Sequence, residues 1–358
     1  MKKICIITTS LSKGGAERFC SLLSQIIFKL NYSIYIITTK DDIDYDYKGV
    51  LFNLEKEING SSSALKKIKI LKSYFKRHNF DVIIDNRPRS RFLKEFILYN
   101  YVFKAKQIIS IVHSFYFKNY LPKSKFLARL IYRKNVKILA VSKEIQSAVI
   151  SKYQFKNCIQ IYNPADLETI TMMSDEKYNT GSDFILFYGR IEESVKNFSL
   201  LLNAYRTSLL RKNKIKLYII GDGDDVNFLE NKIKELQLEK DVVYKPYNKN
   251  PFPYVKNAIF TTLTSYHEGF PMVLIESLAS GTPVVSVNCK SGPKEVVVNE
   301  HNGLLVENHN SDALAKAFNT LVLNKELYNT CKENTKSSVD KFSIENISKH
   351  WDKLLKNI

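Results

Sequence analysis

Short apolar runs alternate along the chain with longer stretches whose apolar residues recur at helical spacing. In the first 165 residues the short runs are "KKICIITTS", "YSIYIITTK", "DVIIDN", "QIISIVHS", "VKILAVS" and "CIQIYNP". Between them lie "GGAERFCSLLSQIIFKL", "SALKKIKILKSYFKRHN" and "KEIQSAVISKY", each with an apolar face and a polar one. Runs of this length, separated by helical patterns, predict a parallel sheet with helices on both faces. Residues 166–183, "DLETITMMSDEKYNTGSD", lose the apolar periodicity and read as a linker. From residue 184 the rhythm returns with "FILFYGR", "IKLYIIGDG", "DVVYKPY", "AIFTTLT", "VVSV" and "GLLV" as strands, separated by helices such as "NFSLLLNAYRTSLL" and "DALAKAFNTLVL". The expected fold class is α/β, with two doubly wound Rossmann-like domains over 1–165 and 184–338, and a last helical segment over 339–358. Two such domains predict a cleft between them, with ligands at the carboxyl ends of the strands.

Charge changes the picture, because it is unevenly placed. The net charge is +18, yet residues 1–165 carry 30 Lys+Arg against 11 Asp+Glu, and residues 166–358 carry 24 against 25. Between Lys66 and Lys137 stand 19 basic residues and three acids, Asp81, Asp85 and Glu95. Such a half-molecule implies an anionic partner, either nucleic acid or an anionic membrane. Helices at 64–78, 91–106 and 124–134 mix Lys and Arg with Phe, Tyr, Leu and Ile, which suits a membrane surface. The five cysteines are scattered without CxxC or His-rich spacing, which points to a reducing compartment and to no metal site. No apolar run reaches the length of a spanning helix, and the N-terminal run is too short and strand-like for a signal peptide.

Candidate chemistry gathers at predicted strand ends. "HEGFPMVLIESLASGTPVV" keeps Glu268 and Glu276 in otherwise apolar surroundings. Pro271 suits the first turn of a helix and Gly281 the residue past its end, so Glu268 belongs to a loop and Glu276 to the helix. In "GRIEESVKNF", Arg190 ends a strand and Lys196 precedes a helix N-terminus, a pairing of cations and free N–H groups suited to a diphosphate. "SKGGAER" places Gly14 and Gly15 before a helix, where the backbone can approach a ligand, but it is not a dinucleotide fingerprint. "GDGDD" at 221–225 reads as a strand-ending turn. His113, in "SIVHSFY", is open to a structural or a functional reading.

Glu268, seven residues and Glu276 within "EGFPMVLIES", followed by "ASGTPVV", resemble the signature of retaining glycosyltransferases of family 4, which have the GT-B fold. "GGAER", "YNP", "GR…K", "GDG" and "SGPKEVV…NGLLV" follow in the family's order over nearly the whole chain. The resemblance implies a C-terminal helix crossing back to the N-terminal domain. It implies that Arg190 and Lys196 neutralise the diphosphate of a nucleotide-sugar, that Glu276 accepts from the ribose, and that Glu268 contacts the donor sugar. Backbone N–H groups around Gly269, Phe270 and Pro271's successor Met272 would meet sugar or phosphate oxygens. Gly15 would let the first domain approach the phosphates, His113 would lie near the transferred sugar, and "YKPYN", with Tyr247, would pack the base. Asn197 stands where the family often has glycine, and "YNPAD" where "NGV" is usual.

The expected activity is transfer of a hexose-type sugar, with retention and without metal or other cofactor, from a nucleotide-sugar to a glycan acceptor. The resemblance favours a UDP-sugar and a polyprenyl-diphosphate-linked acceptor in bacterial polysaccharide or oligosaccharide synthesis. The expected location is the inner face of the cytoplasmic membrane, held there by the basic domain, with Arg87, Arg89 and Arg91 facing the lipid diphosphate. Two rivals remain: a GT-B-fold nucleotide-sugar epimerase, and a basic nucleic-acid-binding protein.

Overall fold

The structure is a computed structural model that describes residues 1–58, 63–176 and 181–358. The chain divides into two compact units, Met1–Pro164 together with Ile344–Ile358, and Ala165–Ser343.

The first unit is a seven-stranded parallel sheet: β1 (Lys3–Thr8), β2 (Ser33–Thr38), β3 (Val50–Asn53), β4 (Phe80–Asp85), β5 (Ala105–Val112), β6 (Asn135–Ala140) and β7 (Cys158–Gln160). Their order across the sheet is β3-β2-β1-β4-β5-β6-β7. The order reverses between β1 and β4, where Ile7 stands opposite Asp85. Helices cover both faces, which is why the strand interiors carry no polar alternation. Helix Gly15–Lys29 buries Phe19, Leu22, Leu23, Ile26 and Ile27, a stripe at helical spacing. The last helix, Ile344–Lys356, packs on it through Trp351, which is fully buried with its ring centroid 6.4 Å from that of Phe19. Strand β3 has no counterpart in the sequence reading. It is a four-residue edge strand behind an Asp- and Tyr-rich loop, and Val50 is exposed, so it lacks the apolar signal of a covered strand.

The second unit holds β8 (Phe184–Tyr188), β9 (Lys216–Ile220), β10 (Val242–Lys245), β11 (Thr261–Leu263), β12 (Val284–Val287) and β13 (Gly303–Val306). They form a parallel sheet in the order β10-β9-β8-β11-β12-β13, which reverses between β8 and β11. Residues 166–183 differ from the linker expectation. Asp166 accepts a hydrogen bond from the N–H of Thr169 and caps helix Leu167–Ser174. That helix packs against helices Phe252–Asn257 and Met272–Ala279 of the same unit. Its buried face is short, with Ile170 and Ser174 inside, so the sequence shows no long apolar period. Residues 177–180 of the segment lie outside the described residues. The helix expected over 91–106 is also shorter: Phe92–Ile97 continues as a π-turn, Leu98–Val102, and β5 then begins at Ala105.

Candidate functional site

In the second unit, three consecutive strands of the sheet, β8, β11 and β12, deliver three loops side by side. Strand β8 ends at Tyr188, and Gly189 turns the chain at φ +141°. The following "RIEES" loop is held from beneath by "GDGDD". The Ile191 N–H donates to Asp222 O, Asp225 N–H to Ile191 O, and Glu193 N–H to the Asp225 carboxylate. A Cβ on Gly221 would come within 1.8 Å of Gly189 O, and one on Gly223 within 2.2 Å of Ile191 O. "GDG" is therefore the backbone seat of the loop carrying Arg190, a closer role than a strand-ending turn. Lys196 ends the short helix Glu193–Lys196, and Asn197 follows in the left-handed region at φ 55°.

The helix N-terminus beyond Lys196 differs from expectation. The Asn197 side chain accepts from Leu200 N–H, and the Glu193 carboxylate accepts from Phe198 N–H at 2.6 Å. The first-turn donors of Phe198–Thr207 are thus engaged by the chain's own side chains and are not free for an anion.

The β11 loop meets the β8 loop directly. Tyr266 N–H donates to Val195 O, and the Thr264 hydroxyl donates to Lys196 O. Lys196 Nζ and Glu268 Oε1 are 2.6 Å apart, and the Ser265 hydroxyl donates to the same oxygen at 2.7 Å. From the other side, Glu268 N–H donates to Lys290 O, and the Ser291 hydroxyl donates to Gly269 O. Gly292, at φ +102°, packs so closely that a Cβ would lie 2.6 Å from Pro271 Cδ. Pro271 itself sits one residue before the helix, with ψ 92°, and not in its first turn. Helix Met272–Ala279 has no side-chain cap, and the N–H groups of Met272 and Val273 have no acceptor among the described residues. Phe270 is buried beneath this turn, its ring packed edge-on to Phe342.

Glu276, 6% exposed, faces the end of β8. The Tyr188 hydroxyl lies 2.8 Å from Val273 O and 3.3 Å from Glu276 Oε2. Arg190 is exposed, 3.6 Å from Glu192, and no contact joins it to the Lys196–Glu268 pair. Tyr247 is exposed beside a hollow of about 290 Å³ lined also by Ile220, Lys245, Pro246, Asn248 and Tyr254, at the carboxyl ends of β9 and β10. Sequence reasoning passed over Tyr188, Ser265 and Glu193. Tyr188 could have been found as the polar-tipped last residue of an apolar strand.

In the first unit, the ends of β1, β4 and β5 meet at Asn86. Its side-chain amide donates to Ala16 O at 2.8 Å, beside Gly15, and its Oδ1 lies 2.5 Å from His113 Nε2. A Cβ on Gly15 would meet nothing within 4 Å, so the fold itself does not demand glycine there. Burial and the nearby Arg89 guanidinium lower the His113 pKa to about 3, so its imidazole is neutral at neutral pH.

Arg87 and Arg89 do not face a ligand. Arg87 is buried between Asp85, at 2.8 Å, and Glu95, at 3.1 Å. Arg89 donates to the Tyr132 hydroxyl and to the carbonyls of Asp85, Arg87 and Ile111. Burial raises the Asp85 pKa, but Arg87, Arg89 and Tyr99 outweigh it and hold the carboxyl below its usual range. Two cations on alternate residues look like an anion site in sequence. Here they neutralise acids that the sheet has already buried. Arg91 alone of the three is exposed. Among the described residues, no three His, Cys, Asp or Glu side chains gather as a metal site, and no helix is long and apolar enough to cross a membrane.

Comparison with known proteins covers the same ground. The chain is 31% identical over 365 residues to the N-acetylgalactosamine-N,N'-diacetylbacillosaminyl-diphospho-undecaprenol 4-alpha-N-acetylgalactosaminyltransferase of Campylobacter jejuni, covering 98% of each chain. It is 23% identical over 360 residues to the amylovoran biosynthesis glycosyltransferase AmsD of Erwinia amylovora, covering 99% of this chain and 100% of the other. Among solved structures, HepE of Anabaena in complex with UDP superposes with a TM-score of 0.78 at 18% identity over the full length of both chains. TarM of Staphylococcus aureus superposes with a TM-score of 0.78 at 16% identity, covering 99% of each chain. These likenesses establish the GT-B fold. Residues 169–338, which contain every loop at the β8–β11–β12 strand ends, match the family described as Glycosyl transferases group 1. With the full-length relative above 30% identity, the chain belongs to the group 1 glycosyltransferases.

Proposed function

We propose that this glycosyltransferase moves a hexose-type sugar from a UDP-sugar to a glycan acceptor carried on a polyprenyl diphosphate, with retention at the anomeric carbon and without a metal. One observation carries the reading. Lys196 pairs with Glu268, and Glu276 lies against Tyr188 at the end of β8, where strand order reverses between β8 and β11. A nucleotide-sugar presents a diphosphate flanked by two sets of hydroxyls. An ammonium paired with one carboxylate, with a second carboxylate held at the end of β8, complements that pattern.

In this reading, Lys196 leaves Glu268 for the diphosphate, and Arg190 folds in from solvent to share the charge. The uncapped N–H groups at Met272, with those of Gly269 and Phe270 in the turn shaped by Pro271, take phosphate or sugar oxygens. Glu268 accepts from the donor sugar. Glu276, oriented by Tyr188, accepts from the ribose. Tyr247 and its hollow take the base. The bond from the anomeric carbon to the diphosphate breaks and a bond to the acceptor oxygen forms on the same face. The acceptor's proton passes to the departing phosphate oxygen. The cations act by stabilising charge on the leaving group. The Campylobacter relative is named for an alpha linkage and a diphospho-undecaprenol carrier, and HepE was solved with UDP, which supports the choice of donor and acceptor.

The first unit supports the inner face of an anionic membrane as the place of action. From Val82 to Lys143 the only acids are Asp85 and Glu95, and both are buried against Arg87. Leu93 is 73% exposed, Tyr101 59% and Phe126 69%, among exposed Arg91, Lys104, Lys125 and Arg129. Exposed apolar side chains amid unopposed cations suit an anionic bilayer, at about 1 kcal/mol per cation near the surface. Flotation should carry the protein with anionic vesicles, and Leu93→Glu with Phe126→Glu should release it; equal flotation of wild type and variant removes this surface.

The activity is tested by nucleoside-diphosphate release from UDP-, GDP- and ADP-sugars on chelator-treated protein, with and without a polyprenyl-diphosphate-linked glycan. Acceptor-dependent release from a UDP-sugar is expected. Release only from another nucleotide, only with added divalent metal, or conversion of donor to an epimer without acceptor would each replace the corresponding part of the reading.

A further inference from the structure

We propose that Ser265 is a positioning residue for Glu268: its buried hydroxyl fixes one carboxylate oxygen and leaves the other as the acceptor presented to the donor sugar. The proposal deepens the reading above, since it rests on Glu268 meeting that sugar. Every residue it uses belongs to the second unit.

The assignment follows from what each group can donate or accept. A carboxylate only accepts, so the Ser265 hydroxyl, 2.7 Å from Glu268 Oε1, is the donor. Lys196 Nζ, which only donates, lies 2.6 Å from the same oxygen. Two donors fill the two lone-pair positions of Oε1. Oε2 accepts no hydrogen bond among the described residues. It is the oxygen left for a substrate hydroxyl.

Ser265 is fully buried, whereas the Glu268 side chain is 13% exposed. The serine therefore acts through the glutamate and does not touch a ligand itself. Its place is set by neighbours from three loops. Thr264 donates to Lys196 O, Tyr266 N–H donates to Val195 O, and the Asn308 amide, beyond β13, donates to Ser265 O at 3.4 Å. Glu268 N–H donates to Lys290 O, so the backbone is held on both sides of the serine–glutamate contact.

The two donors on Oε1 differ in what happens to them when a diphosphate binds. Lys196 is the partner that the diphosphate draws away. Ser265 carries its hydroxyl on one rotatable bond from a fixed backbone and stays. It then remains as the donor that keeps Oε1 satisfied at a largely desolvated position. Without it the carboxylate would turn to find another donor, and Oε2 would lose its aim.

Crystal structures of Lys196→Met and of Lys196→Met with Ser265→Ala test the positioning without any substrate. The single variant takes the ammonium away from Glu268, as a bound diphosphate would, and Oε1 should stay within hydrogen-bond distance of Ser265 Oγ. In the double variant the carboxylate should turn away. A carboxylate that leaves Ser265 in the first, or keeps its place in the second, overturns the proposal. Kinetics give a second reading. A hydrogen bond to a charged group is worth roughly 10- to 100-fold, so Ser265→Ala should lower kcat/KM for the donor by that factor. The dissociation constant for UDP, which lacks the sugar, should not change. UDP binding weakened to the same extent would assign Ser265 to the build of the strand end and not to Glu268. With Glu268 already replaced by Ala, Ser265→Ala should cost nothing further, and an undiminished loss in that background would sink the proposal. Should the protein transfer no sugar, the proposed function fails, while the two structures still decide whether Ser265 sets the carboxylate.

Discussion

At the scale of single residues, the candidate site holds its charge as a pair. Lys196 and Glu268 neutralise each other at 2.6 Å, with side chains 15% and 13% exposed. Two desolvated partners this close depend on one another, so removing either leaves the other unpaired. Lys196→Ala is expected to lower kcat/KM by roughly 100- to 1000-fold, about 3 to 4 kcal/mol, the usual cost of losing one preorganised charge-stabilising group. Glu268→Gln should also lower turnover, because Lys196 loses the anchor that holds it ready. The double variant should cost less than the two losses added together. A strictly additive result in steady-state kinetics would mean that the pair is not a functional unit. Both residues were legible in the sequence from their motifs. Their contact was not, since 72 residues separate them. Only the parallel sheet, by setting β8 beside β11, makes them neighbours. Arg87 and Arg89 failed in the opposite sense. Sequence shows charge but not its partner, and here the partners Asp85, Glu95 and Tyr132 are buried with them.

At the scale of elements, the strand rhythm was readable because both faces of each sheet are covered, which leaves the strands uniformly apolar. What escaped were elements too short to show a period: β3, helix Leu167–Ser174 and helix Lys325–Glu333. The turn from Glu193–Lys196 into Phe198–Thr207 shows why one departure from the family pattern is tolerated. Asn197 adopts the left-handed conformation at φ 55°, the one a glycine would take without strain, and its side chain also caps Leu200. Two contributions can be separated by substitution. Asn197→Gly keeps the backbone conformation and loses the cap, and should change stability by only a few tenths of a kcal/mol. Asn197→Ala loses the cap and strains the backbone, and should cost about 2 kcal/mol. Urea unfolding of the two variants measures both. Equal losses would show that the left-handed turn carries no strain for alanine.

At the scale of the whole molecule, the chain returns to its first unit after completing its second. Residues Ile344–Ile358 belong with Met1–Pro164, and Trp351 seals the helix that follows β1. The stability of that unit therefore depends on both chain ends, and its interior contains a titratable group that cannot easily take its proton. His113 has its pKa lowered to about 3 by burial and by Arg89. In the unfolded chain a histidine titrates near 6.5. Between these values the unfolded state binds the additional proton, so stability falls as pH falls. The slope approaches about 1.4 kcal/mol per pH unit once the unfolded histidine is fully protonated, which gives a loss of about 1.0 kcal/mol between pH 6.5 and pH 5.5 and about 1.4 kcal/mol between pH 7.5 and pH 5.5. Asp85, held below its usual range, adds a further loss only under more acid conditions, as pH drops through the carboxylate range. His113→Gln removes the first contribution and leaves the second. Urea unfolding of the wild type at pH 7.5 and pH 5.5 should therefore show a larger drop than the same pair of measurements on His113→Gln. The difference between the two drops should be close to 1.4 kcal/mol. Identical drops would place the neutral imidazole in error, because a ring that protonates freely in the folded state gives the unfolded chain no proton advantage.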